Sequence, residues 1–270
     1  MSESISSSDL DALRRAVRCL EHPSFAARLT GMMGRPIDFI GAALPKSVSQ
    51  AIATATTKSL QVALKVAMAT IRNEPQNSSL LLHKMLAVTS GAAGGAFGLS
   101  SLPLELPVST IIMLRSIVDI ARSEGENLAD PESALSCIEV FGLGGRTEAD
   151  NDAKAGYFVV RGVLARSVSE AARFIAERGV LEEGAPVLVR LVAQIGARFG
   201  VVVTQKAAAQ AVPIIGALGG AAVNYAFVEH FQTVARGHFT VRRLERRYGE
   251  DPVRAEYERL AGEAQSSSDW

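Results

Sequence analysis

"LPLELPVSTIIMLRSIVDIARSEGENLADPESALSCIEVFGLGG", residues 102–145, reads as two helices and the turn between them. Proline lacks an amide hydrogen and collides with the turn before it, so the "LPLELP" run interrupts any helix that precedes it. Pro107 suits the first turn of a new helix, which is expected to run to Ser123. "GENLADPES" is a loop in which Asp130 is placed to cap and Pro131 to take the first helical position of the next helix. That helix ends at "GLGG".

Outward from this stretch the same period recurs. Ser8 or Asp9 caps a first helix, whose Leu10, Leu13, Val17 and Leu20 share a face. Further helices are expected over residues 25–33, 36–44, 46–72, 80–102, 157–178, 186–206, 207–237, 239–248 and 252–264. Strand signals are nearly absent. "GVVVT" at 200–204 is a short β-branched run, and no Asn-Gly or Asp-Gly hairpin turn occurs. The expected fold class is all-α: a multi-helix bundle of about ten helices with two central Gly/Ala-rich apolar helices. A single helical domain is expected over 25–264, with a polar loop near 145–156. The helix over residues 1–24 and a disordered tail at 265–270 lie outside it.

Composition agrees. Hydrophobic residues make up 48% and aromatics 6%, a balance of packed helices rather than β-sandwiches. Formal net charge is zero, so no global field recruits nucleic acid, and none is expected as a partner. Cys19 and Cys137 form no CxxC, which favours a reduced cytosolic setting. The polar, acidic start "MSESISSSDLD" has no features of a signal peptide.

Two uncharged, glycine-punctuated stretches echo each other, one between Lys84 and Glu105 and one between Lys206 and Glu229. A phosphate loop would need a strand before it and a Lys-Ser/Thr pair; neither is present. Ser100 and Ser101 lack GxSxG spacing. Gly91, Gly94, Gly95 and Gly98 do share a helical face, and Gly196 and Gly200, like Gly216 and Gly220, repeat a small-xxx-small step. Close helix contact is the expected reason. Each stretch also has about the length of a membrane span, diluted by alanine, glycine and proline.

Among polar residues, Glu105 sits in a kinked apolar setting, either as a binding carboxylate or as a helix-start charge favoured by the dipole. Arg115 follows "STIIML" and could pair with Glu105; Asp119 and Arg122 continue its helix. Asn224, Glu229 and His230 close the second glycine-rich stretch, although Glu229 and His230 diverge by about 100° around a helix. The histidines form neither HExxH nor HxxxH, so no metal site is expected, and no cofactor. Arg242, Arg243, Arg246 and Arg247 cluster, with Arg236 nearby, beside the apolar stripe Val241, Leu244 and Tyr248. They form either a solvated face paired to Glu250, Asp251 and Glu256 or a contact with an anionic lipid surface.

Residues 102–145 resemble the central segment of the EcsC family of bacterial proteins, and "GALGGAAVNYAFVEHFQTVARGHFTVRRLERRYG" resembles its C-terminal segment. The resemblance extends over about residues 25–262. Glu105, Pro107, Arg115, Gly125, Asn224, Glu245 and Tyr248 match recurring positions of that family. It implies a bacterial accessory role in transport, secretion or envelope processes, with an ABC transporter or other membrane protein as partner and no defined reaction. The expected location is cytoplasmic, peripherally associated with the inner face of the cell membrane. The rival expectations are a soluble hydrolase using Glu105, Arg115, Glu229 and His230, and a soluble protein-binding module.

Overall fold

The computed structural model describes residues 5–21, 25–33, 45–71, 102–145, 156–178, 184–210 and 217–268. Among them are nine helices and no strand: α1 Ser7–Glu21, α2 Phe25–Met33, α3 Lys46–Ile71, α4 Leu102–Ser123, α5 Pro131–Leu143, α6 Tyr157–Arg178, α7 Pro186–Gln210, α8 Ala217–Tyr248 and α9 Glu250–Ser268. The helices expected over 36–44 and 80–102 lie outside the described residues, as do Gly91, Gly94, Gly95, Gly98 and Gly216.

The bundle is wrapped around α5. From Ser133 to Leu143 every residue of that helix is buried. Its polar residues Ser136 and Glu139 are enclosed along with its apolar ones, so no side of the helix from Ser133 onward faces solvent. α3, α6 and α7 pack around it, and α8 and α4 also touch it. Asp130 caps it as the sequence predicts: its side chain accepts the amide of Ser133 at 3.0 Å, with Pro131 in the first turn. α8 is the longest helix, 32 residues or about 48 Å, and carries α1 along its C-terminal half and α4 beside it.

Several expected boundaries change. α4 begins at Leu102, not Pro107. Both prolines fall in its first two turns, where the earliest amides need no acceptor, so Pro103 costs nothing and Pro107 forfeits one bond. The expected break between residues 237 and 239 is absent, and α8 runs through Gly237. The helical backbone of α9 continues to Ser268, into the segment expected to be a disordered tail. Ser6, rather than Ser8 or Asp9, caps α1, accepting the Asp9 amide at 3.3 Å.

Of the glycine contacts expected, Gly196 and Gly200 can be compared with the described residues. A Cβ on Gly200 would meet nothing within 4 Å, and one on Gly196 only Leu60 at 3.5 Å. That small-xxx-small step does not admit a neighbouring helix backbone. Gly237 does mark a close approach: a Cβ there would lie 2.7 Å from Leu20 Cγ and 3.0 Å from Cys19 Cβ, where α1 crosses α8. Gly125 ends α4 with φ +79°, in a Schellman turn in which Glu126 N–H donates to Ala121 O and Gly125 N–H to Arg122 O, both at 3.0 Å. The turn sets Glu124 and Glu126 against α8.

Gly237→Ala is expected to lower the unfolding free energy by about 1–3 kcal/mol through overpacking against α1. Gly200→Ala, in open space within a helix, is expected to raise it by about 0.5–1 kcal/mol. Urea denaturation of both variants checks the pair.

Candidate functional site

The residues singled out in the sequence fall into two groups along α8. The first lies where α4, α7 and α8 meet. Lys206 of α7 is fully buried, and its Nζ donates to Glu105 Oε1 at 2.6 Å while standing 4.6 Å from the centre of the Phe227 ring. Burial pushes the Lys206 ammonium below its ordinary range, and Glu105 acts against that push. Glu105 is 15% exposed and occupies the first turn of α4, where the helix dipole also favours a carboxylate. Asn224 stands one turn before Phe227 on α8, with Oδ1 buried and without a hydrogen-bond partner. Gln210 Oε1, one turn after Lys206 on α7, is in the same condition.

His230 comes one turn after Phe227. It is buried, its Nε2–H donates to Gly144 O at 2.8 Å, and its ring packs on Phe25 and Phe231. Glu229 is half-buried and points away from His230 around the helix. Arg115 lies ten residues along α4 from Glu105, about 15 Å, and does not pair with it; Lys206 does. Asp119 pairs instead with Arg122 at 3.5 Å, on the surface. Glu105, Arg115, Glu229 and His230 therefore share no pocket among the described residues. A cleft of about 600 Å³ opens between α3 and α7, lined by Lys58, Gln61, Lys65, Leu188, Val189 and Val192 and reaching Pro107. None of those four lines it.

The second group is the arginine cluster, and its partners are not the ones expected. Arg242 donates to Glu126 through Nε at 2.9 Å and Nη2 at 3.1 Å, and Arg246 also reaches Glu126 Oε1. Arg243 bridges Glu124 Oε2 at 2.7 Å and Asp9 Oδ1 at 3.0 Å. Arg247 donates to Asp9 Oδ2 at 3.0 Å, and Tyr248 Oη–H to the same oxygen at 2.8 Å. One turn earlier, Glu245 receives both arms of Arg161 at 2.7 and 2.8 Å. Glu256, expected to face the cluster, pairs with Arg259.

The charges are matched to this layer. The Tyr248 hydroxyl, with Arg243 and against the effect of burial, holds Asp9 below the usual carboxylate range. Burial pushes Glu126 up, but Arg242, Ser133 and Arg246 more than offset it, so that carboxyl also lies low. Asp9, Glu124, Glu126, Arg161 and Lys206 escaped the sequence reading as site residues. Lys206 left a trace as the charge flanking the second glycine-rich stretch, and Asp9 as a candidate cap of the first helix.

Residues 7–244 match the EcsC protein family, and the chain belongs to it. The match begins within α1, which the resemblance over residues 25–262 left out. No curated protein and no solved structure matches. Of the positions that resemble the family pattern, Glu105, Gly125, Glu245 and Tyr248 each hold a helix junction described above.

Glu105→Gln is expected to destabilise the fold by about 3–5 kcal/mol, because it leaves the buried Lys206 ammonium without its counter-charge. Lys206→Met in the same chain should recover most of that loss. Urea midpoints of the single and double variants check it.

Proposed function

We propose that this EcsC-family protein is a membrane-associated accessory of a bacterial transport, secretion or envelope process, with no reaction of its own. It sits on the inner face of the cell membrane through an apolar surface of α7 rather than through its arginines. The partner class is an ABC transporter or another membrane protein.

The observation that carries this reading is the imbalance in α7. The helix has 25 residues and a window of mean hydropathy 1.6, yet only 44% of that window is buried. Val189, Ala193 and Ala197 are exposed at i, i+4 and i+8, and Val201 is half-buried at the next step. They form an apolar stripe about 18 Å long, flanked by exposed Arg190 and, where Val189 and Ala193 line the cleft, by Lys58 and Lys65. Val159 and Val163 of the neighbouring α6 are also exposed, at 56% and 54%. An exposed apolar face of this kind suits shallow burial at the headgroup boundary.

The arginine cluster gives such binding little help. Arg242 is mostly buried and Arg243 half-buried, and all four arginines are engaged by Asp9, Glu124 and Glu126. Electrostatic attachment is strongly screened by salt, whereas apolar insertion is not.

The test is flotation with phosphatidylcholine vesicles and with vesicles containing phosphatidylglycerol, at low and high salt. The wild-type protein should float with both, with less than a twofold change between salts. Val189→Glu with Ala193→Glu should abolish flotation while leaving the helical circular dichroism and the melting temperature unchanged. A protein that never floats removes the membrane reading. One that floats only with anionic vesicles at low salt returns the role to the arginines.

A further inference from the structure

α5 brings one ionisable carboxyl into the middle of the bundle. Glu139 is 2% exposed and faces His238 of α8, which is fully buried. His238 Nε2 lies 4.0 Å from Glu139 Oε2. Neither Nε2 nor Glu139 Oε1 has a hydrogen-bond partner. The other ring nitrogen, Nδ1, is 2.8 Å from Tyr157 Oη, and Tyr157 is fixed in turn by its own N–H to Glu21 Oε1 at 3.1 Å and by the rings of Phe158 and Tyr257. A lone carboxylate or a lone imidazolium would be costly here. The two groups face each other across a gap too long for a hydrogen bond but short enough that the charge of either one decides the protonation of the other.

We propose that Glu139 and His238 form a proton-binding site in the core, a facing pair that holds one titratable proton, with Tyr157 coupled to the imidazole tautomer.

The surroundings fit this assignment. The charges acting on Glu139 are Arg161 of α6 and Arg242 of α8, which favour its ionised form, and Glu132 of its own helix and Glu245 of α8, which oppose it. From the other helices packed on α5, the lysines of α3 are exposed, as are Asp119 and Arg122 of α4 and Arg190 of α7. Arg115 and Arg198 are half-buried, and Lys206 is committed to Glu105. Burial dominates: it pushes Glu139 up to about 7 and, with Arg161 and Arg242, holds His238 well below its ordinary value of 6.5.

The protons balance as follows. Below pH 7 the proton is on the carboxyl, and Nδ1–H donates to Tyr157 Oη. Above it one proton has left for solvent, the carboxylate draws the imidazole proton to the facing Nε2, and the Tyr157 O–H donates to Nδ1. The Tyr157–His238 hydrogen bond reverses direction with the charge on Glu139. Between about pH 4.5 and 6.5 the folded pair carries its proton on the carboxyl, while the unfolded chain carries one on the imidazole. Folding then neither takes up nor releases a proton at this pair, so the pair adds no pH dependence there.

Each single variant exposes the hidden half. In Glu139→Gln, His238 stays neutral when folded but charges when unfolded, so stability falls as pH drops from 7 to 5. In His238→Gln, the folded carboxyl resists ionisation while the unfolded one ionises above about 4.5, so stability falls as pH rises from 5 to 7. Urea unfolding relative to wild type should show these opposite slopes, each approaching a tenfold change in the unfolding constant per pH unit. Equal signs, or no slope in either variant, would overturn the proposal. The wild-type protein gives a second readout: nitrogen NMR of His238 should move from the Nδ1–H to the Nε2–H tautomer between pH 6 and 8, and Tyr157→Phe should remove that coupling. A His238 tautomer that stays fixed across this range would also overturn it.

Discussion

The layer of arginines and carboxylates at the C-terminal half of α8 is the constraint on which the arrangement of the ends depends. Asp9 of α1 lies more than two hundred residues from the end of α8 in sequence and connects the two helices by accepting from Arg243, Arg247 and Tyr248 at once. On the other side the Gly125 turn delivers Glu124 and Glu126 to Arg243, Arg242 and Arg246. Isolated surface ion pairs contribute little. This set differs because the Glu126 side chain is 2% exposed and the Asp9 side chain 9%, so neither carboxylate can turn to water when its partner is lost. A positive-φ glycine, a helix start and a basic helix end thus act as one junction.

Deeper in the bundle the same logic is repeated with fewer alternatives. Lys206 has Glu105 and the Phe227 face, and Glu139 has His238. Such groups add little to stability over apolar packing of the same volume, but each is costly to misplace. They therefore fix which turn of α4 meets which turn of α7, and which face of α5 meets α8. An Ala/Leu/Val-rich bundle, whose apolar contacts tolerate sliding, gains register from them.

Much of the helical pattern was legible in the sequence, because caps and periodicity are local. Asp130 and Pro131 announced the start of α5 exactly where it lies. The partners of the polar residues were not legible. Sequence proximity offered Glu250, Asp251 and Glu256 to the arginines, whereas Asp9, Glu124 and Glu126 arrive through tertiary packing. Glu105 and Asn224 stood out by their apolar settings, but nothing local marked Lys206 as the counter-ion across the bundle. Glycine spacing misled for a related reason. Gly196 and Gly200 repeat at the interval of helix contact, yet one faces only the Leu60 side chain and the other open space, while Gly237 sits under Leu20. His238 looked like one more histidine in a basic run, and its partner Glu139 lies on another helix.

The central claim is that the basic end of α8 is a structural junction and not a surface awaiting a ligand. A double-mutant cycle on Glu126 and Arg242, using Glu126→Gln and Arg242→Met in urea unfolding, tests it most directly. The account predicts a coupling of about 1–3 kcal/mol, with the double variant destabilised by that much less than the sum of the two single variants. Additive effects within about 0.5 kcal/mol, with little loss of stability in either single variant, would contradict it and free the arginines for another role.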